Sequence, residues 1–242
     1  MTSTCLESFV LIFGRADLEL ALYIGSATIF HPEDAPGHET ISWLRSNFVK
    51  TQNYQSLNSE LLITLDLSLH EVLSDISSLA WMLNGYLGPE IKLDGYTFHD
   101  VLLLFGYRLL HISSLGGPRP SGWLENTLQA SLVVFMSSFL TGLGGILPNF
   151  PPLSKLARSL AQDFPGGGTD EDEVYLWTLF IGSTSVFSKQ DDAWLIPRIQ
   201  KTMLALDLHD WEDVSQLLTK FPWVHVLHDK PALALWNRLT ST

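Results

Sequence analysis

The residues best placed for chemistry lie in "YTFHDVLLLFGYRLLHI", Tyr96 to Ile112. Asp100, Tyr107 and His111 follow one another at spacings of seven and four, so a helix brings them near one face. Leu103 and Leu104 fill the turn between them, and His99 and Arg108 stand to the side. Polar groups on so apolar a helix must meet water, protein partners or a ligand, because an unsatisfied buried polar group is costly. Two readings follow. One is a hydrogen-bonded seam between helices. The other is a pocket wall on which Asp100, Tyr107 or His111 donates or accepts a proton, with His99 and Arg108 contacting the bound molecule.

Two other constellations invite chemistry. In "LDLSLHE", Asp66 and His70 are four residues apart, so the carboxylate could orient the imidazole as a general base. An ordinary helix-supporting pair is the plainer reading. In "FPWVHVLHDKP", His225 and His228 are three apart, with Asp229 next to the second. A shared metal would need a regular helix there, which Pro222 and Pro231 argue against, and no third ligand is defined. Asp229 is expected instead as the N-cap of a last helix, with Pro231 in its first turn. "QDDAW" and "DEDE" are acidic stretches at helix starts, where carboxylates commonly cap. No metal is expected. No phosphate-binding loop, dinucleotide fingerprint or nucleophile elbow is present, so no cofactor is expected either.

The elements that must position these residues are helical. Apolar residues recur at spacings of three and four throughout, and strictly alternating runs of Val, Ile and Thr are scarce. The pattern predicts an all-α fold: a single layered domain over 1–242 with roughly ten helices. Helices are expected near 3–13 and 17–30, from 40 to 53, and from 59 to 86 with Ser59 as cap. Further ones are expected over 97–115 with Thr97 as cap, 122–140 and 153–162. The last group starts at Thr169 or Asp170, near Asp191, at Asp210 and after Asp229. "HPEDAPGHE", "GGPRPSG" and "DFPGGGT" are read as loops, and "GLGG" (Gly142 to Gly145) as a turn.

Composition narrows the function classes. The chain has 242 residues, 46% hydrophobic and 17% charged, which suits a folded core. Its net charge is −12 with only 14 Lys and Arg. That balance argues against direct nucleic-acid binding, which calls for a basic patch. One cysteine, Cys5, excludes an intrachain disulfide and a cysteine-rich zinc site. No signal peptide is evident, and an intracellular setting, cytoplasmic or nuclear, is expected. "ASLVVFMSSFLTGLGGIL" approaches the length of a membrane span. Its serines, threonine and glycines, and its lack of flanking anchors, favour a buried helix over a span.

The C-terminal third carries an ordered series of residues. Leu176, Trp177 and Gly182 are followed by Trp194, then Trp211, Glu212 and Val214, then Phe221, Trp223, His228, Asp229, Leu235 and Trp236. From Tyr175 to Leu239 this resembles the end of the regulatory domain of fungal zinc-cluster transcription factors, and "FHDVLLLFGYRLLHI" looks like an earlier helix of that domain. The resemblance implies an all-α effector domain with regulatory and partner-binding roles, and it offers no catalytic residues. The family's DNA reader needs six clustered cysteines beside a basic segment, and this chain has neither.

Together these readings lead to a non-DNA-binding relative of such domains that binds a small hydrophobic molecule or a protein partner, with homo-oligomerisation left open. The alternative is a cofactor-independent isomerase, dehydratase or cyclase of fungal secondary metabolism. Its pocket would use Asp100, Tyr107 or His111, with Trp177 and Trp194 as walls.

Overall fold

The three-and-four spacing of apolar residues is realised in ten α-helices, with no strand among the described residues. The computed structural model describes residues 3–50, 64–86, 93–142 and 150–240. The helices are α1 (Ser3–Ile24), α2 (His38–Lys50), α3 (Leu67–Leu83), α4 (Gly95–Ile112), α5 (Trp123–Gly142), α6 (Pro151–Gln162), α7 (Thr169–Ser185), α8 (Asp192–Ala205), α9 (Trp211–Leu218) and α10 (His225–Thr240). Short 3-10 turns at Pro32–Asp34 and Lys189–Asp191 precede α2 and α8.

Two helices form the centre. Every residue of α5 from Thr127 to Leu140 is buried, as is every residue of α7 from Val174 to Gly182. A helix apolar on all sides needs neighbours on all sides. Accordingly α5 packs on α3, α4, α6 and α7, and α7 packs on α6, α8, α9 and α10. One continuous apolar cluster runs from Leu18 of α1 to Leu239 of α10, so all ten helices share one core. Ala130 to Leu140 of the stretch that approaches the length of a membrane span are therefore part of an interior helix, and no helix among the described residues is long and apolar enough to cross a membrane.

Several of the polar groups inside are paired at short range, although the buried Thr127 hydroxyl on α5 has no hydrogen-bond partner among the described residues. Ser131 and Thr178 share a hydroxyl–hydroxyl bond of 3.0 Å between α5 and α7. The Gln129 amide donates to the Leu109 and Ser113 carbonyls at 2.8 and 3.0 Å, tying α5 to the end of α4.

Several helix starts differ from the expected ones. The first two expected helices are one, because Gly14 lies within α1 as a buried residue packed under Tyr107. Asp66 starts α3 by accepting the Ser68 N–H at 2.9 Å. The expected start at Ser59 lies outside the described residues, as does most of "GLGG". Asp94, not Thr97, caps α4, accepting from the N–H groups of Tyr96 and Thr97 at 2.9 and 3.1 Å. Gly168 occupies the cap of α7, and the Glu171 carboxylate accepts the Gly168 N–H at 3.0 Å. Asp210 caps α9 as expected, and the Asp213 carboxylate accepts the His209 N–H.

The last helix is the largest correction. It begins at His225 and carries Pro231 in its interior, so Asp229 is not its cap. Asp229 lies one turn in, accepting from the Trp223 indole at 2.7 Å and pairing with the His225 ring at 3.1 Å. Burial of Ala232, Leu235 and Leu239 against the core outweighs the backbone bond that Pro231 forfeits.

Candidate functional site

Helix α4 carries most of the expected site residues, and its geometry separates them. Asp100 and His111 are three turns apart, about 16 Å along the axis. Asp100 is half-buried in the first turns, with its nearest ring partner His99 at 3.8 Å. Burial pushes its carboxyl above the usual range, and His99 pulls the other way. Tyr107 is fully buried, donates its hydroxyl to the Gly14 carbonyl at 3.0 Å and meets Phe30 edge-on. Burial, with Asp17 nearby, raises its phenol well above the ordinary value. Tyr107 is thus a tie between α4 and α1, and it does not line the cleft that His111 lines. The expected three-residue wall is not assembled, because α4 is buried on several sides and its polar residues leave it in different directions.

Arg108 belongs to a charge cluster. Its guanidinium and that of Arg45 both bind Asp75, a buried carboxylate on α3; the Arg45 contacts are 2.6 and 2.7 Å. Glu71 lies 3.7 Å from Arg45 and 3.6 Å from Arg108. Two carboxylates and two guanidiniums thus neutralise one another, which is the condition for burying Asp75.

His111 is different. It is exposed, one turn beyond Arg108, and its ring nitrogens make no hydrogen bond to protein among the described residues. Its ring meets the His31 ring edge-on at 4.4 Å. His31 Nδ1 accepts the Glu33 N–H at 3.3 Å as the cap of the 3-10 turn, which leaves the neutral ring's hydrogen on Nε2. His38 Nε2 bonds the carbonyl of Pro32, the first residue of that turn, at 3.0 Å.

These histidines stand in an open cleft of about 930 Å³. The 3-10 turn with His31, Glu33 and His38 forms one side. Asp66 to Leu69 and Glu71, at the start of α3, form the second. Arg108, His111 and Ile112 form the floor, and Pro118 to Ser121 with Glu125 close the third side. A smaller cavity of about 350 Å³ adjoins it and shares His31, His111, Ile112 and Pro118, so the imidazole pair is common to both. The lining mixes apolar side chains (Leu67, Leu69, Ile112, prolines) with charged ones, as in sites that orient a ligand by a few polar groups.

Arg119, read from the sequence only as part of a terminating loop, proves to be the brace of this site. Its Nε donates to Asn126 Oδ1 at 2.8 Å, and its other nitrogens donate to Ser113, Ser114, Asn126 and Gln129. Every acceptor is neutral. Burial lowers this guanidinium to about 10.

The remaining expected residues lie elsewhere. Trp177 is fully buried, stacked on Phe221 at 5.3 Å, and donates to Pro222 O. Trp194 donates to Asp191 at 3.1 Å and packs on Phe187. Both build the core instead of walling the cleft. Asp66 is a cap, so it does not orient His70. His228 is buried, accepts the Val224 N–H at Nδ1 (2.9 Å) and faces Ser138 Oγ at 3.0 Å. That tautomer puts the hydrogen on Nε2, so His228 donates to Ser138 and is not a base for it. No group of three or more metal-ligating side chains occurs among the described residues.

No family model, curated protein or solved structure matches the chain.

Proposed function

We propose that the chain is an effector-type binding module whose small-molecule ligand seats in the cleft between the His31–His38 turn, the start of α3, the end of α4 and the 118–125 segment. The observation that carries this reading is the cleft's construction: about 930 Å³, with paired imidazoles beside apolar Leu67, Leu69 and Ile112. A mixed lining of this kind fits an amphipathic ligand better than the purely hydrophobic one the sequence suggests. The ordered Leu-Trp, Trp-Glu and Phe-Trp series supports kinship with fungal regulatory domains, whose role is to bind and relay rather than to react. Ser68 is exposed on the cleft wall, so Ser68→Trp fills the site without disturbing the core. A fungal metabolite extract should raise the melting temperature of the wild-type protein and leave Ser68→Trp unchanged. Equal stabilisation of both would refute the assignment.

A second reading has one observation behind it. His111, which makes no hydrogen bond to protein among the described residues, presents its imidazole to a cleft with partly apolar walls, which suits cofactor-independent proton transfer. Mass spectrometry of the extract after incubation tests it: product formation by the wild type and none by His111→Ala is the required pair of results.

A further inference from the structure

Two cavities meet at the His31–His111 pair, and their linings differ in kind. Glu33, Asp66, Glu71, Arg108, Arg119 and Glu125 all line the larger cleft. The adjoining cavity of about 350 Å³ has no Asp, Glu, Lys or Arg in its lining among the described residues. Ala27, Ile29, Phe30, Leu110, Ile112 and Pro118 give it an apolar surface. Its hydroxyls add little polarity, because Thr28 Oγ1 donates to the Phe30 carbonyl at 3.0 Å and Ser113 Oγ to the Pro118 carbonyl at 2.7 Å. An apolar cavity of about 150 Å³ takes up a benzene ring, so the smaller cavity has room for one ring or a short alkyl chain.

Helix α1 fixes the wall of this cavity. Asp17, itself buried, accepts the Ile29 N–H at 3.0 and 3.1 Å and the Phe30 N–H at 3.2 Å. Those bonds pin the backbone beneath Ile29, whose side chain stands 81% exposed at the rim. A wall held in this way costs little to order when a ligand arrives.

The imidazoles that both cavities share have hydrogen-bonding capacity left. Neutral His31 carries its hydrogen on Nε2, which meets no protein acceptor among the described residues. Neither ring nitrogen of His111 bonds to protein among the described residues. One free donor on His31, with a donor and an acceptor on His111, suits an uncharged polar group such as a hydroxyl, a carbonyl or an amine N–H.

We propose that the ligand spans both cavities: an apolar ring or short alkyl limb sits in the smaller one, an uncharged hydrogen-bonding group lies against the His31–His111 pair, and the polar remainder lies in the larger cleft. This assignment rests on the larger cleft being the ligand site, and it adds the order of groups along the ligand.

A matched pair of fluorescent probes tests it. N-Phenyl-1-naphthylamine and 1-naphthylamine are both uncharged at neutral pH, both carry the amine nitrogen, and differ by one phenyl ring. Ala27 is exposed and lines only the smaller cavity, so Ala27→Trp fills that cavity and leaves the cleft open. In fluorescence titrations the wild type should bind the phenyl-bearing probe at least about ten-fold tighter. Ala27→Trp should cut that advantage to under about three-fold and leave 1-naphthylamine within about two-fold. Ile29→Ser, which trims the rim, should reduce the advantage in the same direction. His111→Phe keeps a ring without its nitrogens and should weaken both probes about three-fold; no change in either would remove the imidazole pair from the assignment. If the wild type shows no phenyl advantage, or one that Ala27→Trp and Ile29→Ser leave intact, the two-cavity assignment is overturned; weakening of both probes by Ser68→Trp would then still keep the cleft as a binding site. Binding of neither probe, or binding that Ser68→Trp does not reduce, would overturn the cleft assignment itself.

Discussion

Replacing His228 by Asn tests how the interior handles its one deeply buried imidazole. His228 is 1% exposed, between Phe135, Phe139 and Trp223. Burial lowers it from 6.5 to about 4, with Asp229 opposing and His225 assisting. The folded state therefore holds the ring neutral, whereas the unfolded chain takes up a proton near 6.5. Between those values the unfolded state binds more protons, so stability is full above 6.5 and falls as pH drops toward 4. At about 1.4 kcal/mol per unit the whole effect is about 3 kcal/mol, of which about 2 kcal/mol is lost between about pH 7.5 and about pH 5. Asp191 does not interfere. Burial pushes its carboxyl up, but Arg158, the Ser188 N–H and the Trp194 indole outweigh that and hold it at about 2, so its own loss comes at lower pH. Asn at 228 keeps an acceptor for the Val224 N–H and does not titrate. Urea unfolding at the two pH values should show the variant losing about 2 kcal/mol less than the wild type. An equal loss in both proteins would refute the assignment of a neutral, proton-refusing His228.

Three further outcomes follow from the packing. Asp75→Asn removes the buried carboxylate that Arg45 and Arg108 share, leaves them only Glu71 at 3.6–3.7 Å, and should cost about 3–5 kcal/mol in urea unfolding; a cost under about 1 kcal/mol would show that the cluster is solvated. Tyr107→Phe removes the bond to the Gly14 carbonyl and should cost about 1–2 kcal/mol while leaving probe binding at the cleft unchanged, which separates a structural tie from a site residue. A Cβ at Gly106 would lie 2.5 Å from Leu18 Cδ2 and 3.0 Å from Met136 Sδ, so Gly106→Ala should lower the melting temperature by overpacking where α1, α4 and α5 meet, by about 1–3 kcal/mol in stability.

The helical class was legible because burial leaves a periodic trace. The uncharged run at Ala130 to Leu140 reads as an interior helix, and Asp210 reads as a cap from its position alone. Pro231 misled because a proline near a helix start and one inside a helix look alike until the partners of Ala232, Leu235 and Leu239 are known. Asp66 was assigned to a helix interior although its side chain, two residues before a free N–H, suits a cap. In the site, Arg108 and His111 were found because they share one helix with visible spacing. His31, His38, Arg119 and Glu125 were not, because they come from separate loops and a helix start that only tertiary packing brings together. Arg119 left one trace, a lone cation between two prolines, Pro118 and Pro120, whose rigidity holds it at the cleft.

The central claim is that the cleft at His31, His111 and Arg119 is the binding site. A backbone-amide NMR titration with 1-anilinonaphthalene-8-sulfonate tests it most directly. The account predicts saturable shifts at Ser68, Leu69, His111, Ile112 and Ser121, with none on the exposed apolar face of α1 at Leu20 and Ile24. Shifts confined to that α1 face, with the cleft amides unmoved, would contradict it.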